Sequence, residues 1–113
     1  MKKILAIDTS CDDSSASVVD GRMILSNIVA SQNQIHKAYG GVFPTLAKQE
    51  HKKNINPTIN LAIKQARTNW SEIDAIAVTI GPGLAPALEV GVEKAKELAK
   101  KYKKKIIAVN HIE

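Results

Sequence analysis

The stretch Lys3-Ile4-Leu5-Ala6-Ile7-Asp8, near the start of this 113-residue chain, decides its fold. An unbroken apolar run of this length fits a strand that is buried on both faces, inside a sheet covered by helices. The run ends at a carboxylate, and the loops that follow such strands are where α/β sheets bind ligands. We therefore expect an α/β protein whose first strand leads into a candidate functional loop.

Two further strand candidates follow that loop, over residues 14–19 and 22–30. Asp20-Gly21 joins them, and this pair favours a tight two-residue hairpin turn. From residue 31 to residue 43 the chain becomes polar and carries Gly40-Gly41, which is typical of a loop. The first part of the chain is therefore predicted to hold three strands and a long connection.

Helical spacing of apolar residues begins at Pro44, a residue that is well tolerated at the start of a helix, and continues to Ala66. We expect a kink or break in this helix at Pro57, because proline removes a helical hydrogen bond.

The second half of the chain alternates strands and helices. The predicted elements are a strand over 73–80, a turn at Gly81-Pro82-Gly83, a helix whose apolar face runs from Leu84 to Tyr102, and a strand over 106–109. The full order is three strands, helix, strand, helix, strand. That order predicts a mixed five-stranded sheet with helices on its faces, as in the ribonuclease-H-like lobe of actin-like ATPases and sugar kinases.

Charge is unevenly distributed along the sequence. The chain has 16 Lys and Arg against 11 Asp and Glu, and much of the excess lies in one run from Lys100 to Lys105. We interpret this run first as a solvated helix end, where cations suit the helix dipole. Attraction of nucleic acid is the alternative. Trp70 and Tyr102 are isolated in the sequence, so no stacking platform for bases is predicted.

The N-terminal apolar stretch is too short for a signal peptide or a membrane span, and the single Cys11 has no disulfide partner within the chain. We therefore expect a cytoplasmic protein that makes no membrane contact.

The first candidate site follows the first strand. Three carboxylates and four hydroxyls occur in eight residues, which offers oxygen ligands and hydrogen bonds for a phosphate or a metal: Asp8-Thr9-Ser10-Cys11-Asp12-Asp13-Ser14-Ser15. The alternative is an ordinary turn, because Asp and Ser favour turns. The carboxylate that ends an otherwise apolar strand favours a site.

Two weaker signals lie further along the chain. Gly81 and Gly83 join a strand to a helix start, where glycine lets a ligand approach free backbone amides, although turn chemistry explains them equally well. His111 and Glu113 follow the last strand and could face the same side of it, but a lone histidine there is more often a surface residue than a metal ligand.

Taken together, these segments resemble the tRNA threonylcarbamoyladenosine transferase family, an actin-like family. The resemblance is collinear over the whole chain. Its motifs match here at Ile7-Asp8-Thr9-Ser10-Cys11-Asp12, Ser31-Gln32, His36, Tyr39-Gly40-Gly41-Val42, Pro44, Leu46-Ala47, His51, 74–84, Val90-Gly91, Ala95, Leu98-Ala99 and Val109-Asn110-His111.

The resemblance implies a transfer reaction. Such enzymes move a threonylcarbamoyl group from its adenylate to the adenosine beside the tRNA anticodon. Asp12 matches the family's essential carboxylate, with a role in orienting the incoming amine or accepting its proton. Asp8, Thr9, Ser10, Asp13, Gly81 and Gly83 would line the substrate and nucleotide pocket.

The family's metal ion, iron or zinc, would take His111 as its first ligand. A second histidine would follow two residues beyond Glu113, and a second lobe would supply a carboxylate. Residues 1–113 are therefore expected to form the N-terminal lobe of a two-lobe protein, cut within the metal motif and inactive alone.

The implied partners are tRNA, a TsaB-like paralogue held through the helices around 44–66, a TsaE-like ATPase, and the synthase that makes threonylcarbamoyl adenylate upstream. The chain departs from the family pattern at Asp13, Gln49, Pro86 and Glu89, which concerns ligand geometry and partner fit more than the fold.

Two alternatives stay open. A non-catalytic TsaB-like scaffold would share the fold, but it generally lacks the Thr-Ser-Cys-Asp and Asn-His-x-Glu segments that are kept here. A generic actin-like ATPase or sugar kinase would share the first strand and the topology, but not the Gly-Gly-Val and Gly-Pro-Gly-Leu segments in this order.

Overall fold

The computed structural model describes residues 2–9, 14–30, 44–81 and 85–110, and in residues 44–52, 85 and 86 the backbone alone. Its elements follow the predicted order. They are strands β1 (Lys3–Asp8), β2 (Ser14–Asp20) and β3 (Met23–Ala30), helix α1 (Pro44–Gln65), a short 3-10 helix (Trp70–Glu72), strand β4 (Ile73–Gly81), helix α2 (Ala85–Tyr102) and strand β5 (Lys105–Asn110). The loop expected over 31–43 and the end of the chain at 111–113 lie outside the described residues.

The five strands form one mixed sheet in the order β3-β2-β1-β4-β5. β1 lies at the centre, antiparallel to β2 and parallel to β4, and β5 runs parallel to β4 at the edge. β1 therefore pairs along both of its edges, and its side chains Leu5 and Ile7 are buried on one face of the sheet. The predicted mixed five-stranded α/β sheet is therefore confirmed.

The predicted hairpin is present, but its turn is displaced by one residue. Asp20 pairs with Met23, so the two turn residues are Gly21 and Arg22 rather than Asp20 and Gly21. Gly21 has a φ of 61°, in the left-handed region that glycine adopts without steric cost. The backbone demand of the turn therefore fixes the glycine as its first residue.

Of the kink or break expected at Pro57, the break does not occur, because α1 runs without interruption from Pro44 to Gln65. Pro57 is exposed, while Ile55 and Ile59 on either side of it are 2% and 3% exposed and belong to the core. Burial of these flanking side chains stabilises the helix on both sides of Pro57 and outweighs the lost hydrogen bond.

Both helices pack on the same face of the sheet. Leu5 and Ile7 of β1 point into the core that α1 and α2 share, and the helices also contact each other. The core is aliphatic, as the scarcity of aromatic residues predicts. Its buried members are Leu5, Ile7, Ala16, Val18, Ile55, Ile59, Ala62, Ile73, Ile76, Val78, Val90, Ala95 and Ala99.

The opposite face of the sheet, called here the open face, is not covered by any described element. The prediction that β1 is buried on both faces is therefore confirmed on one face alone, since Ile4 and Ala6 are half-buried. Val29 and Val109, on outer strands, are 54% and 41% exposed.

Within the described residues, no helix is long and apolar enough to cross a membrane.

Candidate functional site

Three parallel strands end at one edge of the sheet, called here the carboxyl edge. β1 ends at Asp8, β4 at Gly81 and β5 at Asn110, and Gly81 pairs with Asn110. β2 begins at the same edge because Asp8 pairs with Ser15 across the antiparallel ladder. Parallel strands present their carboxyl ends together, so residues that are far apart in the sequence meet here.

Asp8 and Ser15 stand at the two ends of the candidate loop. The hydroxyl of Ser15 donates a hydrogen bond of 3.4 Å to the main-chain carbonyl of Asp8. Both residues are half-buried. The strand pair therefore holds the loop's entry and exit close together, which is the geometry a short ligand-binding turn needs.

Thr9 continues from β1 and is 1% exposed. Its hydroxyl donates a 2.7 Å hydrogen bond to the main-chain carbonyl of Ala87, in the first turn of α2. This bond links the start of the candidate loop to α2, the helix that follows the Gly81-Pro82-Gly83 segment in the sequence. The contact gives Thr9 a positioning role, and its contact with substrate stays a prediction.

Gly91 allows α2 to lie against Thr9. A methyl group on Gly91 would lie 2.7 Å from Thr9 Oγ1 and 3.6 Å from Val78 Cγ2, so no larger residue fits without movement. The sequence matched Gly91 to a family motif but gave no reason for it. The signal was a glycine on the apolar face of an otherwise regular amphipathic helix, which indicates close backbone approach.

A cleft of about 240 Å³ opens beside Asp8 on the open face of the sheet. Its polar atoms come from Asp8, Ser15, Ser17 and Thr79, and Val109 lies at its β5 side. Ser17 and Thr79 were not among the predicted site residues. The spacing of Ser15 and Ser17 by two could have indicated a shared face.

Gly81 has no steric need to be glycine at the carboxyl edge. A methyl group there would meet Asn110 Oδ1 at 3.9 Å, an ordinary contact distance. The expectation that this glycine lets a ligand approach the backbone therefore stays a prediction.

Five predicted site residues lie outside the described residues: Ser10, Asp12, Asp13, Gly83 and His111. Their neighbours in sequence, Thr9, Ser14, Gly81 and Asn110, all lie at the carboxyl edge. Among the described side chains, in residues 2–9, 14–30, 53–81 and 87–110, no group of three His, Cys, Asp or Glu could hold a metal ion. Thr9 and Ser14, which flank residues 10–13, and Asn110, which precedes His111, therefore lie at one edge of the sheet.

Comparison with known proteins gives one consistent result for the sequence. Residues 23–113 match the family model for TsaD, tRNA N6-adenosine threonylcarbamoyltransferase. A protein of that name from Gloeothece citriformis is 50% identical over 113 residues, which is all of this chain and 33% of the relative. Another protein of that name, from Thermomicrobium roseum, is 54% identical over 111 residues, which are 97% of this chain and 30% of the relative. The chain therefore spans about a third of the curated relatives it matches.

Solved structures agree on the fold. YeaZ from Pseudomonas aeruginosa superposes with a TM-score of 0.75 at 21% identity, over 97% of this chain and 43% of YeaZ. A second structure from the same organism, described as similar to peptidase YeaZ, gives a TM-score of 0.76. The fold of the chain is therefore of the actin-like type.

Proposed function

Because the chain belongs to the tRNA N6-adenosine threonylcarbamoyltransferase family, we propose that it forms the N-terminal lobe of such a transferase. The observation that carries the proposal is the 50% identity over the whole chain to proteins of that name. The carboxyl edge supports it, because the ends of the Asp12 loop and the residue before His111 meet there.

The reaction we propose joins the adenosine amine to the carbamoyl carbon of threonylcarbamoyl adenylate, and AMP leaves with the electrons of the broken mixed-anhydride bond. Asp12 is the group we propose to orient the amine or accept its proton. Ser15 and Thr9 support this role from either side: Ser15 closes the loop on Asp8, and Thr9 anchors it to α2. Asp8, Ser10, Asp13, Gly81 and Gly83 would contact the adenylate.

A bound iron or zinc ion belongs to the same proposal. Both metals accept imidazole nitrogen, and His111 directly follows the strand end at Asn110. When bound, the ion would help hold the phosphate of the adenylate. Its other ligands would come from beyond these 113 residues, so we expect the 113-residue chain alone to be inactive.

We further propose the cytoplasm as the site of action. The partners would be tRNA, a TsaB-like paralogue docked on the α1 region around 44–66, a TsaE-like ATPase, and the adenylate-forming synthase upstream.

A chimera tests the function directly. Residues 1–113 replace the matching third of the Gloeothece citriformis relative, and threonylcarbamoyl transfer from synthetic adenylate to tRNA is measured by mass spectrometry of nucleosides. We expect the chimera to be active and Asp12→Asn to reduce its rate by about a hundredfold or more, in the range of acid–base catalysis. Glu93→Gln is the control, because it removes the charge of an exposed carboxylate on α2 that lies away from the carboxyl edge.

An inactive but folded chimera, beside an active relative, would refute the transferase assignment. A TsaB-like scaffold would share this fold, and the YeaZ superposition at 21% identity reports the fold alone. The Asp12→Asn chimera separates the two, since a scaffold would support modification by its partners equally well with either residue.

A further inference from the structure

Positive charge collects where β1, β4 and β5 begin, at the end of the sheet opposite the carboxyl edge. We call this region the amino edge: the starts of these strands, the β2–β3 turn, and the last turns of α1 and α2 with the residues after them. Its cations are Lys2, Lys3, Arg22, Lys64, Arg67, Lys100, Lys101, Lys103, Lys104 and Lys105.

Contacts along the amino edge bring these segments together. The Gly21 amide at the hairpin turn donates to the Lys2 carbonyl. The ammonium group of Lys3 forms an ion pair with the Glu72 carboxylate at 3.4 Å. The main-chain amide of Lys3 donates a hydrogen bond to the Asp74 carboxylate. Lys105 pairs with Ala75 at the start of the β4–β5 ladder.

The charge balance is strongly asymmetric. Asp20, Glu72 and Asp74 are the acidic residues of the amino edge, against ten Lys and Arg. The resulting excess of seven positive charges exceeds the +5 of the whole chain, so the remaining residues are net negative by two. A single-sign patch of this kind attracts and orients a polyanion.

Both helices end in an unusual way at this edge. Arg67 follows α1 with a φ of 54°, and Lys103 follows α2 with a φ of 56°. The same hydrogen bond caps both helices. The main-chain amide of Thr68 donates to the Ile63 carbonyl at the end of α1, and the amide of Lys104 donates to the Ala99 carbonyl at the end of α2. Glycine usually occupies this left-handed position, because a side chain there costs about 1 kcal/mol. At both helix ends the chain carries an exposed cation instead.

An aromatic pair holds the end of α2 against the 3-10 helix. The rings of Trp70 and Tyr102, which are isolated in the sequence, stack with centroids 4.3 Å apart and an interplanar angle of 5°. Lys101 Nζ lies 5.3 Å from the centroid of the Tyr102 ring. The stack therefore fixes the helix end that carries Lys100, Lys101 and Lys103.

We propose that the amino edge binds the phosphate backbone of a structured RNA. Lysine side chains act as point charges that suit phosphates without reading sequence, which is how proteins position nucleic acids. A membrane surface would use exposed apolar side chains beside the charge. Met23 and Ile24 at the hairpin turn are exposed, at 65% and 69%. Ten cations outnumber these two side chains, so the charge of the edge favours a polyanion such as RNA.

The inference deepens the proposed function, since it assigns to the tRNA substrate a contact away from the chemistry. The nine residues of β4 span about 30 Å between the two edges, roughly one turn of duplex. One arm of a folded RNA can therefore contact the amino edge while another part reaches the carboxyl edge.

The test measures fluorescence anisotropy of a labelled tRNA transcript with the 113-residue chain at several salt concentrations. Arg67→Gln/Lys103→Gln is compared with Lys53→Gln/Lys96→Gln, which removes two exposed cations elsewhere on the helices. We expect the edge pair to lose on the order of tenfold in affinity at 0.1 M salt and to flatten the log–log salt slope by about two. The control pair should lose less than about twofold.

A second variant separates binding from folding. Lys103→Gly relieves the left-handed backbone while removing the charge, so it should raise the melting temperature by about 2–6 °C and still weaken RNA binding. If Lys103 only capped the helix and bound no RNA, Lys103→Gly would raise the melting temperature and leave RNA affinity unchanged.

Unchanged RNA affinity in the edge variants, or an equal loss in the control pair, would overturn the proposal. Tighter binding to phosphatidylserine vesicles than to tRNA through the same side chains would assign the edge to a membrane instead. RNA binding by the amino edge needs neither adenylate nor metal. If the edge binds RNA but the chimera transfers no threonylcarbamoyl group, the proposed function is refuted and this inference stands.

Discussion

Thr9 and Gly91 are in such close contact that a methyl group on Gly91 would lie 2.7 Å from Thr9 Oγ1. The same hydroxyl donates to the Ala87 carbonyl one helical turn earlier. The first residue of the candidate loop is therefore held by α2 through one hydrogen bond and one steric fit. Both interactions join the end of β1 to a helix that begins more than seventy residues later.

Gly91→Ala should destabilise the chain by about 1–3 kcal/mol, the usual range for overpacking a filled core. The added methyl group must displace Thr9 or move α2 away from β1. Thermal or urea unfolding of the two proteins measures the difference.

A double-mutant cycle with Thr9→Ala identifies the cause. Removing Oγ1 and Cγ2 of Thr9 clears the space that the new methyl group needs, so the double variant should be more stable than the two single costs predict. Strictly additive costs would show that Gly91 matters for some reason other than its contact with Thr9.

Leu5→Ala should cost about 2–5 kcal/mol, because Leu5 is fully buried at the centre of the core. The same substitution at Leu61, which is 52% exposed on α1, should cost no more than about 0.5 kcal/mol. Equal losses in urea unfolding would contradict the placement of both helices on the Leu5 face.

Glu72 should titrate below the ordinary value of 4.5. The hydroxyl of Thr68 donates to its carboxylate at 3.0 Å, and Lys3 lies 3.4 Å away, so both lower its pKa. Thr68→Val should raise the pKa of Glu72 towards the ordinary value, and NMR titration of the side-chain carboxyl carbon follows it.

The sign of the accompanying pH effect follows from the lowered pKa. Stability from Glu72 is fully present above its unfolded pKa and is lost as the pH falls through the lower folded pKa. The loss should be small because the carboxylate is exposed. A Glu72 titration that is unchanged by Thr68→Val would refute the assigned cause.

His111→Gln should reduce the iron or zinc content of the purified chimera while leaving its circular dichroism spectrum unchanged. The amide cannot replace imidazole as a strong donor to these metals. Metal analysis by mass spectrometry provides a readout that does not depend on transfer activity. Lys105→Gln, at the far end of the same strand, is the control, and full metal content in the His111 variant would remove this residue from the proposed ligands.

The order of elements was predictable because strands and helices depend on local apolar patterns. β1, β4 and α2 were located to within one or two residues from apolar runs and helical spacing. Prediction was wrong at two places, one decided by core packing and the other by the backbone geometry of the turn. Core burial of Ile55 and Ile59 keeps α1 continuous through Pro57, and the backbone of the hairpin turn placed Gly21 and Arg22 at its tip.

The sequence by itself determined the family, the mixed sheet and the candidate residues at strand ends, because each of these is written in a short contiguous segment. Tertiary structure alone decided which of those segments meet. It joined Thr9 to Ala87 and Gly91, left one sheet face open, stacked Trp70 on Tyr102, and gathered ten cations at the amino edge. The physical reason is that strand pairing and helix packing bring together residues whose separation along the chain gives no sign of their contact.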